Sequence, residues 1–166
     1  MHDADCDEID DFIASHKSLV DFMPPWSPQF AGLHQCRWGI SDIHGVEAAE
    51  LCLSVSGSGV HQSIVCLHRQ RLIYRLDVAP LHECKDNWHT AHIMGLPPLV
   101  CGTHVHGWPE NREYVRYNGF GRMPVRRPVT ASVQDLTEAL HWVAEDLNIQ
   151  INPGPRVFDM PERTLV

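Results

Sequence analysis

No apolar run in this 166-residue chain approaches the ~20 residues that a helix needs to cross a bilayer. No basic start followed by an apolar stretch opens it, so a secretory signal is not expected and the cytoplasm is the expected location. No Cys-x-x-Cys pair occurs among Cys6, Cys36, Cys52, Cys66, Cys84 and Cys101. Their irregular gaps, without an export signal, predict reduced thiols, several of them acting as small apolar strand residues. Basic groups are in the minority, 13 Lys+Arg against 21 Asp+Glu for a formal net charge of −8. That excludes a uniformly basic DNA-coating protein. Internal repeats and low-complexity segments are also lacking. A hydrophobic content of 43% with five Trp excludes a disordered chain. The length suits one domain with a real core and is short for two. A single domain over 1–166 is expected, with 1–4 and 159–166 as flexible ends.

The charge is unevenly placed. Asp3, Asp5, Asp7, Glu8, Asp10 and Asp11 carry six of the acids, and residues 12–166 then hold 13 basic against 15 acidic groups. Residues 5–17 read as a helix, because Ile9, Phe12, Ile13 and His16 recur on one face. The early acids then sit where the helix macrodipole favours them. Residues 23–35, with three prolines, read as an irregular connection.

A β-rich middle follows. Leu51, Leu53 and Val55 alternate with Cys52, Ser54 and Ser56, the pattern of a half-buried strand. Ser56–Gly59 reads as a turn, and 60–68 and 71–78 as two strands around Arg69-Gln70, a pair without the usual hairpin-turn chemistry. Residues 36–43 suit another strand. Residues 79–101 have no clear period, and a loop that long in a compact domain is usually functional. Residues 102–108 suit a short strand, as do Glu113–Tyr117. Val133, Leu136, Leu140, Val143 and Leu147 form a helical stripe, with Ser132 and Asp135 as its Ser-x-x-Asp start and Asn148 as its stop. Ile149 and Ile151 suggest a last short strand before Pro153-Gly154-Pro155. The sum is α+β: an N-terminal helix, an antiparallel sheet, a long His-rich loop, and a C-terminal amphipathic helix with a short strand after it.

Histidine is abundant, 12 in all, with His82, His89, His92, His104 and His106 inside 25 residues. On a strand, His104 and His106 point to one side, with Cα atoms roughly 6.5–7 Å apart. Arg75 and Asp77 likewise share a face, while Leu76 and Val78 turn to the core. If the two strands are neighbours, these four side chains line one surface, and His82 leans over it from the strand end. Two chemistries suit the set. In one, His82, His104 and His106 bind a divalent metal, Zn or another transition metal, with Asp77, His89 or Cys84 as a further ligand and a position left for water. In the other no metal is needed: the histidines act as general base and general acid, and Arg75 stabilises charge on a phosphate oxygen. The bland alternative is a polar strand face, with Arg75–Asp77 a structural ion pair and His89 and His92 solvated loop residues. Cys84 and Cys101 lie near histidines that lower a thiol pKa, although Cys101 fits a buried strand end.

Arg112, Arg116, Arg122, Arg126 and Arg127 fall in 16 residues with one acid, Glu113, and with Tyr114, Tyr117 and Phe120 among them. Basic groups interleaved with aromatics suit single-stranded nucleic acid. The competing expectation is that these arginines pair with acids elsewhere, the N-terminal helix included.

The series Glu8-Ile9, Lys17, Arg75-Leu76-Asp77, His82, Gly102-Thr103-His104-Val105-His106 and Asp135-Leu136 with its helix and Ile149 resembles an uncharacterised bacterial protein family. That family shows an Arg-Leu-Asp, a following His, a Gly-x-His-x-His and a C-terminal helix, and the resemblance spans most of 8–158. It implies that Arg75, Asp77, His82, His104 and His106 belong together. The His- and Cys-rich insert between His82 and His104 departs from it. The function expected from these readings is a small phosphodiesterase or nuclease acting on RNA or a nucleotide. His82, His104, His106, Arg75 and Asp77 form its catalytic set, and Arg112, Arg116, Arg122 and Tyr117 hold substrate. The alternative is a non-catalytic module that binds metal, nucleic acid or a protein partner.

Overall fold

The computed structural model describes residues 3–20, 23–129 and 133–151. In chain order the elements are α1 (Asp3–Ala14), β1 (Lys17–Leu19), β2 (Ser27–Pro28), β3 (Leu33–Ser41), β4 (Glu47–Ser56), β5 (Gln62–His68), β6 (Arg71–Val78), β7 (Cys84–Asp86), β8 (Leu99–Cys101), β9 (His104–His106), α2 (Trp108–Asn118), β10 (Arg127–Pro128), α3 (Leu136–Asp146) and β11 (Ile149–Gln150). This is the expected α+β class. One sheet runs β10-β9-β6-β5-β4-β3-β1-β11, with β2 on β3. It is antiparallel throughout except where β1 meets β11.

Strand alternation divides the sheet into two faces. Trp38, Leu51, Leu53, Ile64, Cys66, Tyr74, Leu76 and Val105 fall on one face and are buried. Ile9 and Phe12 of α1 and Leu136, Leu140 and Val143 of α3 join the same core. The stripe foreseen for the last helix is therefore its buried side. Asp135 is the N-cap, its Oδ1 accepting from Glu138 N at 2.9 Å, while Glu138 Oε2 accepts from Gln134 N at 2.7 Å. The cap falls on Asp135 and Glu138; Ser132, the Pro153–Pro155 break and the expected tail at 159–166 lie outside the described residues. Asn148 takes a left-handed φ of 52° at the stop.

The acids of α1 do more than face its macrodipole. Arg116 Nε meets Asp3 at 2.7 Å, Arg71 meets Asp5 at 2.8 Å, Arg69 meets Glu8 at 2.8 Å, and Arg112 spans Asp7 and Asp10 at 2.9 and 2.7 Å. Lys17, foreseen as helical, is the first residue of β1 and is buried. Its Nζ donates to the carbonyls of Phe12, Ile13 and Ser15 at 2.6, 3.2 and 2.6 Å. It thus satisfies orphan acceptors at the C-terminus of α1, where a cation suits the helix dipole.

Three expectations are corrected. Glu113–Tyr117 is not a strand but part of α2. Pro109 suits the first turn, where its missing N–H costs nothing, and Trp108, Asn111 and Val115 are the buried side. Residues 79–101 are not one loop: β7 and β8 pair as a small separate sheet. Cys84 and Cys101 face each other across it, Cα atoms 3.9 Å apart, and form a disulfide. So not all six cysteines are free thiols, Cys84 is not available as a ligand or nucleophile, and Cys101 is exposed. Cys6, Cys36, Cys52 and Cys66 are buried and free, as expected. No helix among the described residues is long and apolar enough to cross a membrane.

Candidate metal centre

The open face of the sheet carries the polar residues. β6 and β9 are antiparallel neighbours, with Arg75 opposite His106 and Asp77 opposite His104. Leu76 and Val105 therefore face the core, and Arg75, Asp77, His104 and His106 share the other side, as the alternation predicts. They line a cleft of about 490 Å³, with His61 and Gln62 at the start of β5, Glu83 and Lys85 from the β7 segment, and Arg126.

Both imidazoles are buried, and each is held by its inner nitrogen. His104 Nδ1 donates to Gly102 O at 2.8 Å, and His106 Nδ1 donates to Met123 O at 2.5 Å. A carbonyl can only accept, so the hydrogen-bond geometry assigns the proton to Nδ1 in both rings. In the neutral rings this leaves the Nε2 lone pairs free. Those two atoms face Asp77 Oδ2 at 3.6 and 3.7 Å, beyond hydrogen-bond distance. Burial pushes the His106 imidazole down to about 4. With both rings neutral, three acceptors converge there.

Such a group can hold a cation. One ligand atom from each of Asp77, His104 and His106 lies within 4.8 Å of the others. Metal–ligand bonds of about 2.0–2.2 Å place tetrahedral ligands roughly 3.3–3.6 Å apart, so the two carboxylate–imidazole distances of 3.6 and 3.7 Å already suit shared coordination to within a few tenths of an ångström. The outer contacts fit too: metal-bound histidines usually donate their other N–H to a carbonyl or carboxylate. Gly102 supports this geometry with a φ of 76°. A side chain there would be strained and would meet Leu81 Cδ2 at 3.1 Å. On its other oxygen, Asp77 Oδ1 accepts from Arg75 Nε at 2.8 Å and lies 2.8 Å from Nη2. The ion pair foreseen as the structural alternative is therefore present, and it orients a carboxylate that also faces both histidines.

His82 does not join the cluster. Glu83 N bonds Pro80 O at 2.9 Å, which closes a turn with Leu81 and His82 at its exposed tip. The residue after it, Glu83, lines the cleft instead. Asp77 takes the third place in the cluster, which His82 was expected to fill. His89 and His92 are exposed, and His92 Nδ1 bonds His89 O at 2.7 Å.

The arginine-rich stretch divides. Arg112 and Arg116 are paired to α1, in line with the structural expectation. Arg116 also lies over the ring of Tyr117, 5.6 Å from its centroid, and Tyr117 is exposed. Arg122 is exposed. None of these four lines the cleft. Arg127 binds Glu110 and Asp146 at 2.9 and 2.7 Å, on the side of Val105 that faces α3. Arg126, one residue earlier and on the face of His106, lines the cleft. Its Nη1 donates to Asp86 O at 2.5 Å. Compared with protein families, curated proteins and solved structures, the chain matches none.

Proposed function

We propose that the protein is a small metal-dependent phosphodiesterase or nuclease whose substrate is a nucleotide or RNA. The observation that carries this reading is the convergence of two Nε2 lone pairs and a carboxylate oxygen in a cleft that also receives cationic side chains. Two imidazoles and one carboxylate suit Zn or another transition metal, and three protein ligands leave positions for water and substrate. When bound, such an ion polarises a phosphoryl oxygen and acidifies a coordinated water.

The chain's own residues do the rest. Gly102 O and Met123 O fix the two rings, so that Nε2 and not Nδ1 meets the ion. Arg75 orients Asp77 and is about half exposed, 49% at its side chain, so its remaining N–H groups are free to meet a phosphate oxygen. Lys85 and Arg126 add positive charge to the cleft and draw in an anionic substrate. Substrate contact falls to these three cations and not to Arg112 or Arg116, whose charge is matched by α1.

The test is elemental analysis of purified protein together with cleavage assays on RNA, DNA and cyclic nucleotides, with and without chelator. Cleavage should stop with chelator and in the His104→Ala, His106→Ala double variant. Activity that survives in that variant overturns the proposal. Metal binding without any hydrolysis assigns the site to the non-catalytic alternative.

A further inference from the structure

A second cavity, of about 550 Å³, opens beside the metal cleft. The two share Gln62, Val78 and Ala79 as lining residues. Asp77 immediately precedes the shared wall, so on an extended strand the cluster lies only about 3–7 Å of chain from it. Val60, Pro80 and Val129 make the second cavity largely aliphatic. Its size falls in the range of small-ligand pockets, roughly 300–1,000 Å³.

The wall between the cavities carries an unanswered acceptor. Gln62 Oε1 is buried and has no hydrogen-bond partner. The amide's sense is fixed, because Nε2 donates to Gly59 O at 2.9 Å, and turning it over would set two oxygens against each other. The oxygen therefore keeps its lone pairs for a donor brought by a ligand. The hydroxyl of Thr103, which lines the second cavity only, is already engaged: its Oγ1 donates to Val133 O at 3.1 Å. The pair of cavities therefore asks for a ligand with an anionic group at one end. At the other end it needs a body with apolar faces and an N–H on its edge. An acyl chain satisfies the walls but leaves Gln62 unpaired. A nucleobase satisfies both. Neither cavity is lined by Phe, Tyr or Trp among the described residues. These are the platforms on which successive bases of a single strand stack, so the fit is to one nucleotide.

We propose that the second cavity is a nucleobase subsite, with Gln62 Oε1 accepting a base N–H while the phosphate of the same nucleotide lies at Asp77, His104 and His106. This deepens the phosphodiesterase reading and rests on it for the phosphate end only. The test is equilibrium binding of adenosine monophosphate, ribose phosphate and adenosine to metal-loaded protein, and to the Gln62→Leu and Val129→Met variants. The first variant removes the acceptor. The second narrows the cavity from Val129, which does not line the metal cleft, and keeps the test alive if the first does not fold.

Wild type should bind adenosine monophosphate at least about tenfold more tightly than ribose phosphate, the worth of a hydrogen bond plus one buried face. Either folded variant should erase that difference, and Val129→Met should leave ribose phosphate and metal binding unchanged. Equal affinity of wild type for the two phosphates overturns the subsite, as does a preference that survives in either folded variant. If neither phosphate binds, the metal-site reading fails separately. Adenosine alone then decides: binding that the variants abolish upholds the subsite, and no binding overturns it.

Discussion

Asp77→Asn separates a metal ligand from a structural ion pair, because the two roles predict opposite results. The wild-type carboxylate does two things. Its Oδ1 takes Arg75 at 2.8 Å, and its Oδ2 faces two imidazole lone pairs at 3.6 and 3.7 Å. Arg75 is half exposed, so the pair contributes about 0–1 kcal/mol. Facing the histidines, the carboxylate is a third acceptor among acceptors. The introduced amide carries N–H groups in its place, and each hydrogen bond it forms to Nε2 returns about 0.5–1.5 kcal/mol. The metal-free variant should therefore match wild type within about 1 kcal/mol, or roughly 4 °C in Tm for a domain of this size. The metal response should behave differently. An ion at about 100 times its Kd stabilises the native state by ~2.7 kcal/mol, a rise of about 5–10 °C, and the variant should lose most of it. Thermal unfolding monitored by circular dichroism, in chelator and then with Zn, Mn, Ni or Co, reads both effects. A chelated variant more than ~3 kcal/mol less stable than wild type would show that Asp77 is a structural partner. A metal-induced rise retained in the variant would remove Asp77 from the ligand set. No rise in wild type with any of these ions would refute the centre.

Two further outcomes follow from buried groups. Burial lowers the pKa of both His68 and His106, the latter to about 4. Below ~6.5 the unfolded chain takes up protons that these folded rings refuse, so metal-free stability should fall as pH drops from there toward about 4. Each ring adds a slope of at most ~1.4 kcal/mol per pH unit. His68→Phe, which keeps a ring against Phe12, should make the decline shallower in urea titrations run across that window; an unchanged slope refutes the assignment. Thiol counting tests the Cys84–Cys101 bridge: the native protein should react at none of its buried free cysteines, and the denatured, unreduced chain should titrate four thiols, with six only after reduction. Six before reduction would show that the bridge does not form and would favour a reducing compartment.

Periodicity made the sheet and the core side of the last helix readable. The period-2 runs at 51–56 and 71–78 and the His-x-His could each be assigned a face without knowing their neighbours. What periodicity does not reveal is pairing. Arg126 enters the cleft because β10 lies antiparallel to β9, placing it on the face of His106 and its neighbour Arg127 on the face of Val105. No local signal distinguishes the two arginines. The second helix escaped for another reason. Its buried side includes a polar residue, Asn111, whose amide donates to Gly107 O and Val125 O and accepts from Val125 N at 2.8, 3.0 and 2.8 Å. A buried asparagine that pins a loop is indistinguishable in sequence from a solvated one, so the apolar stripe looked broken. His82 was misplaced because the turn from Pro80 to Glu83 rotates its side chain out, a geometry that Pro80 permits but does not dictate.

The net charge of −8 at first argues against an anionic substrate. The structure shows why that sum is a poor guide to the site. Five acids of α1 are matched by Arg69, Arg71, Arg112 and Arg116 at 2.7–2.9 Å. The sheet itself lies between this network and the open face. At ordinary ionic strength, exposed charges fade over roughly 8–10 Å. A substrate entering the cleft therefore responds chiefly to Arg75, Lys85 and Arg126 against Asp77 and Glu83. A divalent ion on Asp77 would shift that local balance further toward positive charge. The same arrangement divides the labour of the fold. The helix-covered face supplies the apolar burial, which leaves β6 and β9 free to set four polar side chains at adjacent positions on the other face. Two of those, the histidines, are held rigid by backbone carbonyls that belong to neither strand's ladder. Such rigidity adds little to a core that is already packed. For a centre whose ligands must converge within a few tenths of an ångström it is the essential requirement, and this is the physical reason to read the open face as the working surface of the protein.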